Sequence, residues 1–282
     1  VELNAKGAEI IKIVGQKDNM NYMWRRDASQ WANSAPILFP IVGALKNDTC
    51  VINGKEYHMT QHGFARHNEF ETNQVSDTEV IFSLKSNDEI IKQYPFLFEL
   101  NVTYRLVENK LKCHIEVKNT DHQPIYFQVG GHPAFACPFM ENESSNDYYL
   151  EFSENETCNR KIIDVEKRGM SRVEKPFFDN EKRFFVRQEL FNTDAIVIKN
   201  FKSENIALKS LNHDKSIVFH MNGFDHVGLW AAKHVGGLIA IEPWVGHADY
   251  TDFNGEFKEK ESCVELPVGK NFEVEFAVEI NQ

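Results

Sequence analysis

Leu111-Lys112-Cys113-His114-Ile115-Glu116-Val117 and Phe272-Glu273-Val274-Glu275-Phe276-Ala277-Val278-Glu279 alternate apolar and polar residues almost without a break. A period of two sends successive side chains to opposite faces of an extended chain, so each stretch reads as a strand with one buried face. Outward from these, residues 100–106 alternate more loosely, and residues 79–84, 125–129 and 195–198 add short β-prone runs. Turn signals separate them at Asn53-Gly54, Glu108-Asn109, Asn222-Gly223 and Asn254-Gly255. Helical pattern is scarce. Residues 87–94 predict one short helix, capped by Ser86 or Asn87 and closed by Pro95. The charged, irregular stretches 140–146 and 165–183 read as surface loops. No repeat, low-complexity tract or linker divides the chain. The expectation is an all-β fold: one large antiparallel β-sandwich domain over residues 1–282, with few short helices and sheets long enough to cup a groove.

Composition narrows the function. The chain has 282 residues, 42% hydrophobic and 26% charged, with 22 Phe, enough apolar material for a sizeable core. Its formal charge of -11 argues against nucleic acid, which needs a basic surface. No apolar run approaches the roughly 18 residues of a membrane span, and no signal peptide is visible. The five scattered cysteines, Cys50, Cys113, Cys137, Cys158 and Cys263, contain no CxxC pair and read as reduced thiols in a cytoplasm.

Three segments set ionisable groups among glycines, prolines and aromatics: Gln61-His62-Gly63-Phe64-Ala65-Arg66, Gly130-Gly131-His132-Pro133-Ala134-Phe135 and Ile241-Glu242-Pro243-Trp244. A His and a Glu that converge in one cleft can move protons to and from a neutral polyol without metal or nucleotide. His62 precedes a glycine suited to a tight turn; surface hydrogen bonding is its bland alternative. Arg66 nearby offers a guanidinium fork for vicinal hydroxyls or a phosphate. Gly130-Gly131 permits close approach of a ligand or unusual backbone angles, and Pro133 biases His132 to extended geometry; a His packed at a sheet edge is the other reading. Glu242 ends the buried-strand run 238–241, where a carboxylate needs a partner or a task. Trp244 either stacks on a sugar face or fills core. Asp194 opens an apolar strand, ordinarily a turn role, and Asp225, His226 and Asp249 are equally unspecific.

Several chemistries are disfavoured. His58 and His62, if on one strand, would lie roughly 13 Å apart, too far for one ion. His58, His62, His132, His220 and His226 lack ligand spacing, so neither a catalytic metal nor another cofactor is expected. There is no GxGxxG after a strand, no GxxxxGK[ST], no HExxH and no GxSxG.

Ala35-Pro36-Ile37-Leu38-Phe39-Pro40-Ile41-Val42-Gly43, His62-Gly63-Phe64-Ala65-Arg66, Gly130-Gly131-His132-Pro133-Ala134-Phe135, Gly228-Leu229-Trp230 and Ile241-Glu242-Pro243-Trp244-Val245-Gly246 with Asp249 follow one another along nearly the whole chain. In that order they resemble the aldose 1-epimerase (galactose mutarotase) family, specifically its shorter bacterial galactose-mutarotase-like branch. The resemblance implies a β-supersandwich with a sugar groove on one concave sheet. It implies cofactor-independent interconversion of the α and β anomers of an aldohexose, with Glu242 as base, His132 as acid, and His62 and Asp194 binding the sugar. Ala44 stands where the family often has an Arg that contacts the sugar; Arg25, Arg26 or Lys46 are candidates to replace that donor. Two other readings stay open. One is the same chemistry on a sugar 6-phosphate, with Arg25, Arg26 and Arg66 as a basic rim. The other is a non-catalytic carbohydrate-binding or sensing protein on the same scaffold. In the enzyme readings Glu242 and His132 face one groove, separated by about the width of a sugar ring.

Overall fold

The two alternating stretches become neighbouring strands, Lys110–Asn119 and Asn271–Asn281, paired antiparallel with Ile115 opposite Val274 and Cys113 opposite Phe276. A computed structural model describes residues 1–232 and 237–282. Their apolar faces are buried, as the alternation requires. From this pair the ladder runs outward both ways. On one side lie Phe98–Val107, Glu79–Lys85 and Glu71–Ser76. On the other lie Ser216–Asn222, Asn205–Ser210, Tyr148–Asp164, Ile196–Lys199, His226–Trp230, Gly237–Val245, Val129–Gly131 and Ile37–Leu38. Fifteen strands share this sheet among the described residues, and every ladder between them is antiparallel.

So long a sheet twists and doubles over on itself. Phe135 reaches Phe219 with ring centroids 6.1 Å apart although their strands are remote along the ladder, and Phe127, on a strand outside this sheet, reaches Phe272 at 5.5 Å. One continuous core lies between the layers. The fold is the large antiparallel β-sandwich expected, of the galactose mutarotase-like type, with 53% of residues in strands and, among the described residues, no helix of seven residues or more.

The expected helix is a single turn, Asp88–Ile91, with the Asn87 side chain accepting from the Glu89 and Ile90 N–H groups. The hairpin at Asn53-Gly54 forms, both residues having positive φ (52° and 74°), as a tight two-residue turn needs. Two expectations fail. Residues 125–129 are not one strand. Ile125–Phe127 pairs with Val264–Leu266, while Val129–Gly131 joins the large sheet; the break falls at buried Gln128, whose amide bonds to Val42 N–H and the Glu261 carbonyl. Residues 165–183 are not a loop. Gly169–Phe185 is a strand, forming with Tyr148–Asp164 a long hairpin. Its outer stretch is exposed on both faces, so it shows no alternation, and only pairing with its partner strand reveals it.

The strand Gly237–Val245 positions the site. Ile239, Ile241 and Val245 face the main core. Leu238, Ala240, Glu242 and Trp244 point the other way, into two smaller clusters on the concave side. Both faces are covered, which explains the unbroken apolar run before Glu242.

Candidate active site

A cavity of about 390 Å³ opens on that concave side. It brings together all six residues expected from the sequence: His62, Arg66, His132, Asp194, Glu242 and Trp244.

His132 follows Val129–Gly131, with its N–H on the Pro36 carbonyl at 3.1 Å. The two glycines before it make room for protein, and neither for a ligand nor for unusual backbone angles, the two alternatives the sequence offered. A Cβ on Gly130 would lie 2.7 Å from the Pro243 carbonyl oxygen and 2.9 Å from Trp244 Cδ1, and one on Gly131 would lie 2.9 Å from Phe276 Cε1. Gly228 serves the same end, since its Cβ would lie 2.6 Å from Trp244 Cζ2. Trp244 is thus seated between glycines of its two neighbouring strands.

His132 Nε2 lies 3.2 Å from Glu242 Oε2. The expected separation of about a sugar's width is therefore wrong: Gly130 lies opposite Trp244 and Ala134 opposite Ala240, which sets His132 directly beside Glu242. The contact is too poorly aligned to be a hydrogen bond, and Glu242 Oε2 and His132 Nδ1 have no hydrogen-bond partner among the described residues. Burial, then the charge of Asp194, holds the Glu242 carboxyl well above its ordinary value, against the nearby Trp244 indole. Burial also drives the His132 imidazole down to about 3; its backbone opposes this and the Arg66 charge adds to it. Both groups resist charge because water is excluded.

His62 is held by a reciprocal pair with Gly43. The His62 N–H donates to the Gly43 carbonyl at 2.8 Å, and the Gly43 N–H donates to His62 Nδ1 at 3.1 Å. Nδ1 is thereby an acceptor, so the neutral ring carries its hydrogen on Nε2, which then accepts nothing from the Gln61 amide nitrogen 3.3 Å away. His62 and Gly63 both have positive φ, 65° and 71°. Burial first, then His132 and Arg66, keeps the His62 ring well below its ordinary pKa and so neutral. Asp194 sits at φ 83° with its carboxylate accepting from the Ala195 N–H at 2.7 Å; burial raises it. Arg66 follows in a turn of 3-10 helix; its Nε has no partner among the described residues, and burial lowers its pKa.

Residues that sequence reasoning did not assign complete the wall. Trp31 and Trp230 flank His132 at centroid distances of 4.6 and 5.5 Å and meet each other edge to face. Trp230 lay in a quoted motif; nothing in its own stretch marked Trp31. The tip of the long hairpin contributes Ile163, Arg168 and Met170. Ala44 lines the cavity, but among the described residues Arg25, Arg26 and Lys46 do not. Arg26 instead bonds the Ala32 carbonyl and lies 3.8 Å from buried Glu9, while Lys46 Nζ bonds the Phe253 carbonyl and Asn254. Of the three arginines expected as a basic rim, Arg25, Arg26 and Arg66, only Arg66 lines the cavity, and Arg168, not anticipated from the sequence, lines it too.

The family model described as aldose 1-epimerase matches residues 1–265. The chain belongs to the aldose 1-epimerase family. Protein LacX (plasmid) of Lactococcus lactis subsp. lactis is 34% identical over 260 residues, covering 87% of this chain and 84% of that one. Among solved structures, a galactose mutarotase related enzyme from Lactobacillus acidophilus superposes with a TM-score of 0.94 at 30% identity, covering 99% of this chain and 93% of that one. A galactose mutarotase-like protein from Lactobacillus casei gives 0.91 at 30% identity, with 99% and 96% covered. For a member of the aldose 1-epimerase family, the cavity above lies where the sequence motifs converge.

Proposed function

We propose that this chain, as a single domain, is an aldose 1-epimerase that interconverts the α and β anomers of an aldohexose by acid–base ring opening. The observation that carries the proposal is the Glu242–His132 pair: buried, 3.2 Å apart, and facing a cavity of sugar dimensions. Burial favours the neutral form of both groups, so before sugar binds the proton they share rests on Glu242. A bound sugar offers a hydroxyl that donates to a carboxylate and a ring oxygen that accepts from an imidazolium. Both interactions draw that proton across to His132.

Glu242 then takes the proton from O1 as His132 gives one to the ring oxygen. The C1–O5 bond breaks and the C1–O1 bond becomes a carbonyl. The aldehyde rotates about C1–C2, and closure on its other face inverts C1 with the two roles exchanged. One proton enters the pair and one leaves in each half, so nothing is consumed. His62 Nε2–H, Asp194 and Arg66 orient hydroxyls, and Trp244, Trp31 and Trp230 offer faces for the sugar's C–H surface. Each positioned proton transfer is worth roughly 10²–10⁴-fold.

A second reading, the same reaction on a sugar 6-phosphate, draws on Arg66, which has no anionic partner among the described residues, and on Arg168 at the rim. Saturation-transfer NMR of anomer exchange over a panel of free and phosphorylated aldoses tests both. Faster exchange of free aldoses supports the first reading, and selective acceleration of phosphates the second. No catalysed exchange of any aldose would overturn both, and sugar affinity without exchange would leave a binding protein.

A further inference from the structure

Beyond the Trp244 side of the cavity lies a second buried group of side chains. His226 pairs with Trp244 across the ladder, His247 follows the end of the same strand, and Glu261 arrives from the next loop. One ligand-type atom from each lies within 4.8 Å of the other two. His226 is fully buried and His247 is 2% exposed. The Nε2 atoms of both have no hydrogen-bond partner among the described residues.

The other ring nitrogens are fixed. His247 Nδ1 lies 2.6 Å from the Ala248 carbonyl oxygen, which can only accept, so Nδ1 carries the hydrogen. His226 Nδ1 lies 2.8 Å from the Asp225 carboxylate, itself held by the Gly246 N–H. Both rings, anchored through Nδ1, leave Nε2 without a hydrogen-bond partner among the described residues, and His247 Nε2 lies 3.6 Å from Glu261 Oε2. Buried nitrogens left unpartnered there are costly. An imidazole whose outer nitrogen donates to a carboxylate or a carbonyl is how metal-ligating histidines are oriented.

We propose that His226, His247 and Glu261 form a structural metal site for a divalent ion of the zinc class, separate from the sugar cavity. Two nitrogens and one oxygen suit zinc, with water as a fourth ligand, and do not suit calcium or magnesium, which take oxygens. Lys199 and Lys161 occupy Glu261 Oε1, which leaves Oε2 for the ion; the Tyr250 hydroxyl, donating to Oε2 at 2.6 Å, shares that oxygen. Metal–nitrogen distances of about 2.0 Å require the three ligands to draw in by roughly an ångström. The ion would pin the turn 246–250, whose Ala248 lines the sugar cavity and abuts Gly43.

The full chain, stripped with a chelator, is titrated with Zn²⁺ against a fluorescent competitor, and bound metal is counted by mass spectrometry. One ion per chain is expected. Binding should weaken about 10–100-fold in Asp225→Asn and at least as much in His247→Gln and Glu261→Gln. Cobalt(II) in the wild-type chain should give the intense visible bands of a tetrahedral site, a readout that survives if a variant fails to fold. His132→Asn should bind as wild type does. Wild-type affinity weaker than the competitor can register, undiminished binding in folded His247→Gln and Glu261→Gln, octahedral cobalt bands, or loss of binding in His132→Asn instead would each overturn the site.

Discussion

At the floor of the cavity, Glu242 is 1% exposed and His132 9%, and no hydrogen bond joins His132 Nε2 to Glu242 Oε2. At its rim, Arg168 is 56% exposed and forms a two-pronged pair with Asp48, at 2.9 and 3.1 Å. The floor is built on Gly237–Val245 and the segment after Val129–Gly131, where glycines leave no room for a further Cβ beside Trp244. The rim is the turn of a hairpin whose outer stretch is mostly solvent-exposed. Dry, unpaired groups have shifted pKa values and are available for proton transfer. Wet, paired groups keep ordinary chemistry and contribute little to stability. One cavity thus joins two environments, and under the proposed reaction the floor would do the chemistry and the rim would choose what reaches it.

The largest expected effect tests the floor. Glu242→Gln and His132→Asn should each lower catalysed anomer exchange by roughly 10²–10⁴-fold, while sugar affinity measured by calorimetry survives, because the lost interaction belongs to the transition state. Wild-type exchange in Glu242→Gln would remove the chemistry from the floor altogether.

The next effect is structural. Gly228→Ala places a Cβ against the Trp244 ring, which Gly130 blocks from retreating on the other side. Overpacking of this kind costs about 1–3 kcal/mol, read as a lower midpoint in urea. An unchanged midpoint would mean that Trp244 has room to move and that the floor is less rigid than the comparison holds.

How much of this division was legible beforehand differs between the two regions. The floor announced itself because its residues are locally extreme: a carboxylate after four apolar residues, an imidazole between Gly131 and Pro133. The paired strands 110–119 and 271–281 were equally plain, since one buried and one wet face write a period of two. The rim was not legible. Gly169–Phe185 is wet on both faces along much of its length, so its sequence resembles a loop, and the place of Arg168 at the cavity depends on a partner strand. Trp31 was missed for a related reason, because it reaches His132 through the folding of the chain and not through its neighbours in sequence. The reason for Gly130 and Gly131 was misread, since sequence shows that a Cβ is missing but not whose atoms need the space.

A smaller effect follows from protonation. Burial and then Asp194 hold the Glu242 carboxyl above its ordinary 4.5 in the folded chain. Above that pH the unfolded chain has released a proton that the folded chain still binds, so this group's contribution to stability falls as pH rises through the folded value. Gln does not ionise and escapes the loss. The melting temperature of Glu242→Gln relative to wild type should therefore climb between about pH 5 and about pH 8. His132 acts with the opposite sign, its folded value of about 3 lying below 6.5, so that stability is lost as pH falls through that window. It does so in both proteins and largely cancels in the difference. A difference that stays flat across this window would mean that Glu242 is already ionised in the folded state.

The smallest expected effect belongs to the rim. Arg168→Ala removes an exposed pair with Asp48, worth about 0–1 kcal/mol, so its melting temperature should stay close to wild type, and more so at high salt. Exchange of free aldoses should be unaltered in turnover, because Arg168 reaches the cavity only at its mouth. On a sugar 6-phosphate the same substitution should raise KM without lowering kcat, since it removes uniform binding. Arg66→Gln is the companion variant: it lies deeper, lacks an anionic partner among the described residues, and should raise KM for both substrate classes. If Arg168→Ala lowered kcat on free sugars as far as Glu242→Gln does, rim and floor would be one functional unit, and the contrast between them would hold for packing alone.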